Sequence, residues 1–328
     1  MQHLRWIISA LLLTVTVAGA DTGFRKYAGE FMSIDVSARA RAMGGAFSAV
    51  SNDVYAAFYN PAGLAQLSSM QLGVTHTQQF ISSINYDYAG FAMPTASERT
   101  FGVSLIRLGV DNIKDSRAAG IFDDQGVLLG IDESAVDEFN AADYVFFFSM
   151  GQPLNSRMLI GFNAKLIRRD LGDNSANGLG FDAGLLFSVS SRLKLSAMLR
   201  NATSTLIAWD TGEKELVRPS LRVGSAWVVD VPGMNATFTP NLDLIVDGDG
   251  GPNLEDSPLQ AGMLAGAVGG ELGFSERLFL RGGYDELARL NFGVGFRIPH
   301  INVDYAFTGY DDELGNAHRI GLLIDFSR

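Results

Sequence analysis

The chain has 328 residues, with 25 Lys or Arg, 36 Asp or Glu and no Cys, and its formal net charge is −11. This negative balance argues against a nucleic-acid partner, because a nucleic-acid binder needs a basic surface to neutralise phosphates. The absence of Cys excludes disulfides, thiolate zinc sites and cysteine nucleophiles. Hydrophobic residues make up 47% and charged residues 19% of the chain, which is typical of a folded protein.

Residues 1–20 have the pattern of a cleaved secretory signal peptide. Arg5 supplies the positive charge, residues 6–17 are mostly apolar, and Ala18-Gly19-Ala20 supplies a small-residue cleavage site. The apolar run is too short to cross about 30 Å of hydrocarbon as a membrane anchor. We therefore expect an exported protein that is either soluble or a barrel.

The segment from Phe24 to Leu67 has helix-like order and differs from everything after it. Asn52 or Asp53 can cap a short helix that begins near residue 54, because a side-chain oxygen there accepts from free backbone N–H groups. Pro61 then interrupts that helix, since the residue before a proline is pushed out of the helical region. A second short helix is expected over residues 61–67.

From residue 70 onward the hydrophobic period changes to two, which predicts strands. Two of the runs depart from the pattern, since 142–150 is apolar on both faces and 235–246 contains Pro240. An even number of strands fits a closed antiparallel barrel. The fourteen candidate strands are residues 70–80, 83–94, 100–108, 142–150, 157–168, 178–188, 192–201, 220–229, 235–246, 261–274, 277–284, 288–298, 301–308 and 317–326.

The connections between these strands alternate in length. Short turns follow every second strand, and four of them share a Ser-then-Arg pattern, at residues 97–99, 156–157, 191–192 and 275–277. The other connections are mostly longer, at residues 109–141, 170–177, 202–219, 247–260 and 309–316. Short turns at one rim and long loops at the other are typical of an outer-membrane barrel, whereas a secreted β-sandwich has no reason to sort its loops in this way.

Alternation alone does not say which face points inward, but residue types favour a lumen-facing polar side. That side is rich in Gly and carries both charge signs, at Asn163, Lys165, Asp182, Arg222, Asp243, Glu271, Arg281, Arg297, Asp304, Arg319 and Asp325. Aromatic residues assigned to the apolar, lipid-facing side are Tyr86, Tyr88, Tyr144, Trp227, Tyr284 and Tyr305. The inward charges either pair and rigidify the lumen or line a polar path, and both interpretations stay open.

No catalytic or metal-binding pattern is present in the sequence. His76, His300 and His318 are isolated and lack metal-ligand spacing, and no nucleophile elbow or phosphate-binding loop occurs. The acidic stretch at residues 247–251 fails the ligand spacing of a calcium loop. We therefore expect no enzyme activity, no catalytic residues, no metal and no cofactor.

Several motifs resemble those of known outer-membrane proteins. Ala38-Arg39-Ala40-Arg41-Ala42-Met43-Gly44-Gly45-Ala46, then Asn52-Asp53, then Tyr59-Asn60-Pro61-Ala62-Gly63-Leu64-Ala65 resemble the entry segment of FadL-type proteins. The likeness continues at residues 280–285, 292–296, 304–307 and 318–322. The chain looks most similar to the PorV/PorQ branch of the FadL superfamily.

The resemblance implies an all-β fold, a 14-stranded antiparallel transmembrane β-barrel in the bacterial outer membrane with a small N-terminal helical hatch inside the lumen. The expected organisation is a signal peptide at 1–20, the hatch at 21–68 and the barrel at 69–328. Candidate hatch or ligand-binding residues are Asn60, Pro61, Ala62, Gly63, Gly44, Gly45 and Phe58. Candidate polar lumen residues are Asp182, Arg281, Asp304 and Arg319.

Two functions fit this architecture. The first is a non-enzymatic protein that contacts outer-membrane lipid and binds or passes hydrophobic small molecules, favoured by a pocket walled by Phe24, Phe31, Phe47, Tyr55 and Phe58. The alternative is a type IX-like secretion component that receives exported protein cargo, favoured by a co-purifying partner. The chain is short for a long-chain fatty-acid transporter, which argues against that ligand.

Overall fold

Fourteen antiparallel strands close into a β-barrel around an N-terminal hatch, as the sequence predicts. The computed structural model describes residues 29–79, 84–247, 264–309 and 316–327. The predicted signal peptide and Phe24 lie outside the described residues. Over the described part of the chain, no helix is long and apolar enough to cross a membrane.

Each barrel strand pairs with its neighbours in sequence, and the last strand pairs with the first. Gln71 opposes Asp325 and Gln78 opposes His318 across this closing ladder. The strands are β1 Gln71–Gln79, β2 Ile84–Pro94, β3 Thr100–Asp115, β4 Asp137–Asn155, β5 Met158–Leu171, β6 Asn174–Ser188, β7 Leu193–Arg200, β8 Ser220–Trp227, β9 Ala236–Asp247, β10 Leu264–Phe274, β11 Leu278–Tyr284, β12 Leu290–Ile298, β13 Ile301–Thr308 and β14 Ala317–Asp325.

Three short strands extend this wall and two stand apart from it. Thr205–Trp209 pairs with the N-terminal part of β6 and with Lys214–Val217. Val229–Val231 continues the line of β8 and pairs with β9. Gly120–Phe122 and Leu128–Ile131 form a separate two-stranded hairpin between β3 and β4.

Strands β3 to β6 are longer than their apolar alternation predicts. The expected loop at residues 170–177 is wrong, because β5 and β6 pair to their ends around a turn of only Gly172 and Asp173. Gly172 has a φ of 55°, a left-handed conformation that glycine adopts without strain. Ladder hydrogen bonds continue here through polar residues, so the strand ends carry no apolar signal.

Pro240 lies inside β9 and interrupts one of its ladders. Pairing of β9 with β8 stops at Asn241 and resumes with Val229 opposite Phe238. A proline has no N–H to donate, so the neighbouring strand breaks there while the barrel stays closed.

The two faces of the wall are reversed relative to a soluble barrel. Large apolar side chains such as Val103, Phe148, Phe162, Val268, Phe292 and Ile320 are exposed on the outside, whereas Asn163, Lys165, Asp182, Asp243, Arg281 and Arg319 are buried inside. The assignment of Tyr86 and Tyr88 to the outer face is wrong. Both are buried on the inner face, where the Tyr86 hydroxyl donates to the carbonyl oxygen of Ile34 (2.8 Å) and the Tyr88 hydroxyl donates to that of Val54 (3.2 Å).

The two rims of the barrel differ. The short-turn rim is formed by residues 95–99, 156–157, 189–192, 228–235, 275–277 and 299–300, and β1 begins and β14 ends at this rim. The opposite, long-loop rim carries the segments between β3 and β4 and between β7 and β8.

The hatch is built from very short helices. Helix α1 (Ala38–Ala42) begins at Ser37, whose hydroxyl accepts from the backbone N–H of Ala40, and α2 spans Ala56–Tyr59. Two 3₁₀ helices, Glu30–Met32 and Pro61–Gln66, stand at its ends. Helix α1 packs against β11 to β14, and the 3₁₀ helix at Pro61 packs against β3 to β6, so the hatch crosses the lumen.

Candidate functional site: the hatch in the lumen

Glycines on the inner wall let the hatch backbone lie directly against the strands. A Cβ placed on any of six wall glycines would fall 2.1 to 2.4 Å from a hatch atom, closer than real contacts allow. These glycines are Gly161, Gly184, Gly224, Gly269, Gly283 and Gly293. They make room for the hatch, and Gly224 also makes room for the polar side chains of Asp243 and Ser196 on the wall.

Asn60 fixes the turn at the lower end of α2. Its Oδ1 accepts from the backbone N–H of Ala62 (3.1 Å), which caps the 3₁₀ helix that begins at Pro61. Its Nδ2 donates to the carbonyl oxygen of Leu185 on β6 (3.0 Å) and to that of Ser48 (3.3 Å). Gly63 packs on Ser51, whose carbonyl oxygen would be 2.2 Å from an added Cβ. The motif thus ties the hatch to the wall, and its role toward a ligand stays a prediction.

Gly44 and Gly45 end α1 in left-handed conformations, with φ of 65° and 78°. The backbone N–H of Gly45 donates to the carbonyl oxygen of Ala40 (3.0 Å), and its own carbonyl oxygen accepts from Arg222 (2.9 Å). A Cβ on Gly44 would lie 2.6 Å from the carbonyl oxygen of Tyr284. Both positions therefore require glycine for conformation or for close contact.

Asp243 on β9 is the most connected anchor of the hatch. Its carboxylate accepts from the backbone N–H groups of Phe47 (3.2 Å) and Ser48 (3.1 Å) and from the Ser48 hydroxyl (2.7 Å). Arg222 lies 3.4 Å from the same carboxylate. Asp243 is fully buried, so its charge is compensated by these donors.

Arg39 joins α1 to the barrel wall near the short-turn rim. Its guanidinium donates to both carboxylate oxygens of Glu271 (2.9 and 3.0 Å), a bidentate geometry that makes strong ion pairs. Arg281 also binds Glu271 (2.7 Å) and reaches Asp304 (2.6 Å). Burial raises the pKa of the Asp53 carboxyl above its usual value, although Arg39 (3.3 Å) acts in the opposite direction.

A second ion-pair group surrounds Arg41. It lies 3.2 Å from Asp35 and 2.8 Å from Asp285, and it donates to the Thr308 hydroxyl (3.0 Å). Burial by itself raises the pKa of the Asp35 carboxyl, but Arg41 and more distant arginines outweigh it and hold that pKa below its usual value. Asp35 therefore keeps its charge inside the barrel.

The four predicted polar lumen residues do not form one site. Arg281 and Asp304 are in contact, but Asp182 lies across the lumen, where it pairs with Lys165 (2.7 Å). Arg319 donates to the Thr77 hydroxyl (2.7 Å). Asp182, Arg281 and Asp304 are thus ion-paired, whereas Arg319 keeps one buried nitrogen, Nη1, without a hydrogen-bond partner among the described residues.

The long-loop half of the lumen contains an apolar cluster. Phe31 of the hatch packs in one buried cluster with Ile167 and Ile207 of the wall. The Arg169 guanidinium lies over the rings of Phe31 (5.1 Å) and Trp209 (5.4 Å) and is neutralised by two carboxylates. This end of the lumen therefore combines a packed apolar cluster with one ion-paired arginine.

The predicted apolar hatch residues that the structure describes are buried in packed contacts. Phe58 contacts Tyr59 (ring centroids 4.9 Å apart) and Phe147 (6.4 Å), with the Arg200 guanidinium 4.4 Å above its ring. Phe47 and Tyr55 are likewise buried in the same cluster.

A cavity of about 620 Å³ opens instead at the short-turn rim, beneath the hatch. We call it the vestibule. Its lining includes Arg39, Met43, Val50 and Asn52 of the hatch and Lys194, Asn241, Glu271, Phe279 and Arg297 of the wall. The sequence does not predict it, because its residues come from many separate strands and turns and form no motif. The described residues contain no group of three His, Asp or Glu side chains placed to hold a metal ion.

Several solved structures have a fold similar to this barrel. The crystal structure of the Ralstonia pickettii toluene transporter TbuX matches with a TM-score of 0.55 at 14% identity, over 88% of this chain and 97% of that one. A Pseudomonas aeruginosa FadL homologue matches at 0.55 and 10%, and the CymD monoaromatic hydrocarbon channel at 0.60 and 12%, each over 89% of this chain and 98% of the other. These likenesses establish the fold.

Sequence comparison adds one family. The family described as Uncharacterised protein family (UPF0164) matches residues 13–127, which include the whole hatch and the first three barrel strands. No curated protein matches this chain in sequence.

Proposed function

We propose that the protein is a non-enzymatic outer-membrane barrel that passes hydrophobic small molecules, with the hatch as its gate. The exposed apolar belt suits a lipid environment, and a closed barrel leaves no unpaired strand edge in lipid. The short-turn rim, where β1 begins and β14 ends, then faces the periplasm, and the long-loop rim faces outward.

The observation that carries this proposal is the apolar cluster in the long-loop half of the lumen. A water-filled channel has a polar interior, whereas here Phe31, Ile207 and Trp209 pack together in one apolar cluster inside the long-loop half of the lumen. A hydrophobic molecule that enters from that side would contact apolar side chains. Monoaromatic hydrocarbons such as toluene are the first probes to use, because proteins of similar fold are described as carrying them.

Passage requires the hatch to move, since the hatch fills the lumen between the apolar cluster and the vestibule. It is held in the lumen by hydrogen bonds and ion pairs and by no disulfide, as the chain has no Cys. The vestibule lies directly below Arg39 and Met43 and has the volume of a small-molecule site. It supplies both room for hatch movement and an outlet.

The resemblance of the hatch motifs at residues 38–46 and 59–65 supports a PorV/PorQ type within this proposal. The alternative is a secretion component that receives exported protein. Native mass spectrometry of protein extracted gently from its membrane distinguishes this alternative from the transport role. A small apolar bound mass supports the transport role, and a bound polypeptide favours the secretion role.

The direct test locks the hatch to the wall. A Cβ on Gly321 would lie 3.4 Å from the Cβ of Ala38, close to the spacing of a disulfide. The double variant Ala38→Cys and Gly321→Cys has no competing thiol. We expect oxidised cells that express it to take up labelled toluene no faster than cells without the protein, and reduction to restore uptake.

Each single-cysteine variant is the matched control and should transport under both conditions. Equal uptake by the oxidised and reduced double variant would show that molecules do not pass through the hatch. No uptake of any hydrocarbon by the reduced protein would contradict the transport role itself.

A further inference from the structure

The hairpin of residues 120–131 stands apart from the barrel wall at the long-loop rim. Its two strands pair only over Gly120 to Phe122 and Leu128 to Ile131. Asp123 Oδ1 accepts from the backbone N–H groups of Gln125 (2.9 Å) and Val127 (2.8 Å), which fixes the turn. The hairpin is therefore shaped by local hydrogen bonds.

Both faces of this hairpin are apolar and uncovered. Its large apolar side chains are at least half exposed, from 50% for Ile121 to 67% for Leu129, and the others are Phe122, Val127, Leu128 and Ile131. Leu128 and Leu129 are adjacent in one strand and so point to opposite faces. A two-stranded hairpin without packing is marginal in water, and an exposed apolar patch marks an interaction site.

The hairpin also offers backbone for pairing. Over the ranges that the structure describes, each of its strands hydrogen-bonds only to the other. The outer edge of each strand thus presents N–H and C=O groups to which a third strand can add.

The charge around the hairpin selects among possible occupants. We call the following residues the acidic collar: Asp123, Asp124, Asp132, Glu133, Asp137 and Glu138, all of which carry negative charge close to the hairpin. The nearest basic residues in sequence are Lys114 and Arg117, and Arg117 is paired with Asp115. The collar disfavours an anionic lipid surface and the same hairpin of a second copy, because like charges repel.

We propose that the hairpin docks a strand-forming polypeptide segment of apolar and basic residues, which adds to one of its free edges. Apolar side chains of the segment cover a face of the hairpin, and its Lys or Arg residues meet the acidic collar. This interaction lies outside the lumen and does not depend on the route of small molecules through the hatch.

The test uses full-length protein in nanodiscs and three labelled ten-residue peptides. One alternates Val and Lys, the second replaces Lys by Glu, and the third is the Val–Lys peptide with alternate backbone nitrogens methylated. We expect fluorescence anisotropy to show binding of the first peptide alone. The substitution Leu129→Asp should weaken that binding roughly tenfold or more, whereas Thr203→Asp, an exposed position of another loop at the same rim, should leave it unchanged.

Several results would overturn the proposal. They are no binding of the Val–Lys peptide up to about 1 mM, equal binding of the Glu or methylated peptide, or no effect of Leu129→Asp. A polarity-sensitive dye on Leu129→Cys gives a further readout, since the chain has no other Cys. A blue shift of this dye in nanodiscs without peptide would mean that the bilayer covers the hairpin instead.

Discussion

Gly283 and Gly282 are adjacent residues of β11 with opposite surroundings. A Cβ on Gly283 would lie 2.2 Å from the backbone carbon of Met43 in the hatch, whereas one on outward-facing Gly282 would meet nothing closer than 3.9 Å. We expect Gly283→Ala to weaken hatch docking by about 2 kcal/mol, because overpacking forces backbone to shift. Trypsin cleavage after Arg39 and Arg41 measures hatch release. Equal cleavage rates in Gly283→Ala and Gly282→Ala would show that the hatch does not need this contact.

Asp243 allows a comparison between a buried and an exposed carboxylate. The change Asp243→Asn keeps the shape but removes the charge that Arg222 and two backbone N–H groups face. Breaking a buried pair costs on the order of 3 kcal/mol, so tryptic release of the hatch should rise by about two orders of magnitude. Asp230, which pairs with exposed Arg192, is the control, and Asp230→Asn should change little. Comparable effects of both substitutions would contradict the anchoring role of Asp243.

The sequence predicted which face of the wall a charged residue occupies, but it did not predict the residues that this side chain contacts. Alternation with mixed charges correctly placed Asp243 and Lys165 inside the lumen. It did not reveal that Asp243 binds Phe47 and Ser48, which lie almost two hundred positions away. Tyr86 was misplaced because an aromatic ring suits either face of a strand, and only the hatch carbonyls decide which.

At the scale of elements, the turn at Asn60 connects α2 to the 3₁₀ helix Pro61–Gln66. The change Asn60→Ala removes the cap at Ala62 and leaves the carbonyl oxygen of Leu185 without this donor. Loss of a cap costs about 1 kcal/mol, so we expect faster amide exchange over residues 60–66. The control is Asn52→Ala, which removes an exposed contact to Arg39. Unchanged exchange in Asn60→Ala would show that Pro61 alone sets the turn.

The elements that the sequence misjudged share one physical cause. Strands β4 and β6 extend beyond their apolar cores because backbone pairing continues where side chains are polar. The hydrophobic period predicts which side chains face lipid. It does not predict how far the strand pairing continues beyond the apolar belt. The hatch helices Ala56–Tyr59 and Pro61–Gln66 were better predicted, since Pro61 acts locally, whereas α1 was not predicted as a separate helix.

For the whole molecule, the strand count followed from alternation together with the parity of turn lengths. The vestibule did not, because it arises only when turns from distant parts of the chain meet beneath the hatch. The closing contact between β14 and β1 joins the two ends of the barrel sequence and likewise has no local signal. Closure is nevertheless demanded by lipid, which offers no partner to an unpaired strand edge.

Ile320 tests this closure because it lies in β14 between β1 and β13. It opposes His76 on one side and Tyr305 on the other, and its side chain points outward. The change Ile320→Pro removes a ladder N–H and opens the seam at a cost of several kcal/mol in lipid. We expect unheated wild-type protein to migrate differently from boiled protein in a detergent gel, and Ile320→Pro to lose that difference. Ile320→Ala shortens the same side chain without touching the backbone and should retain it. If unheated Ile320→Pro protein still migrated differently from boiled protein, the barrel would not depend on the β14–β1 seam.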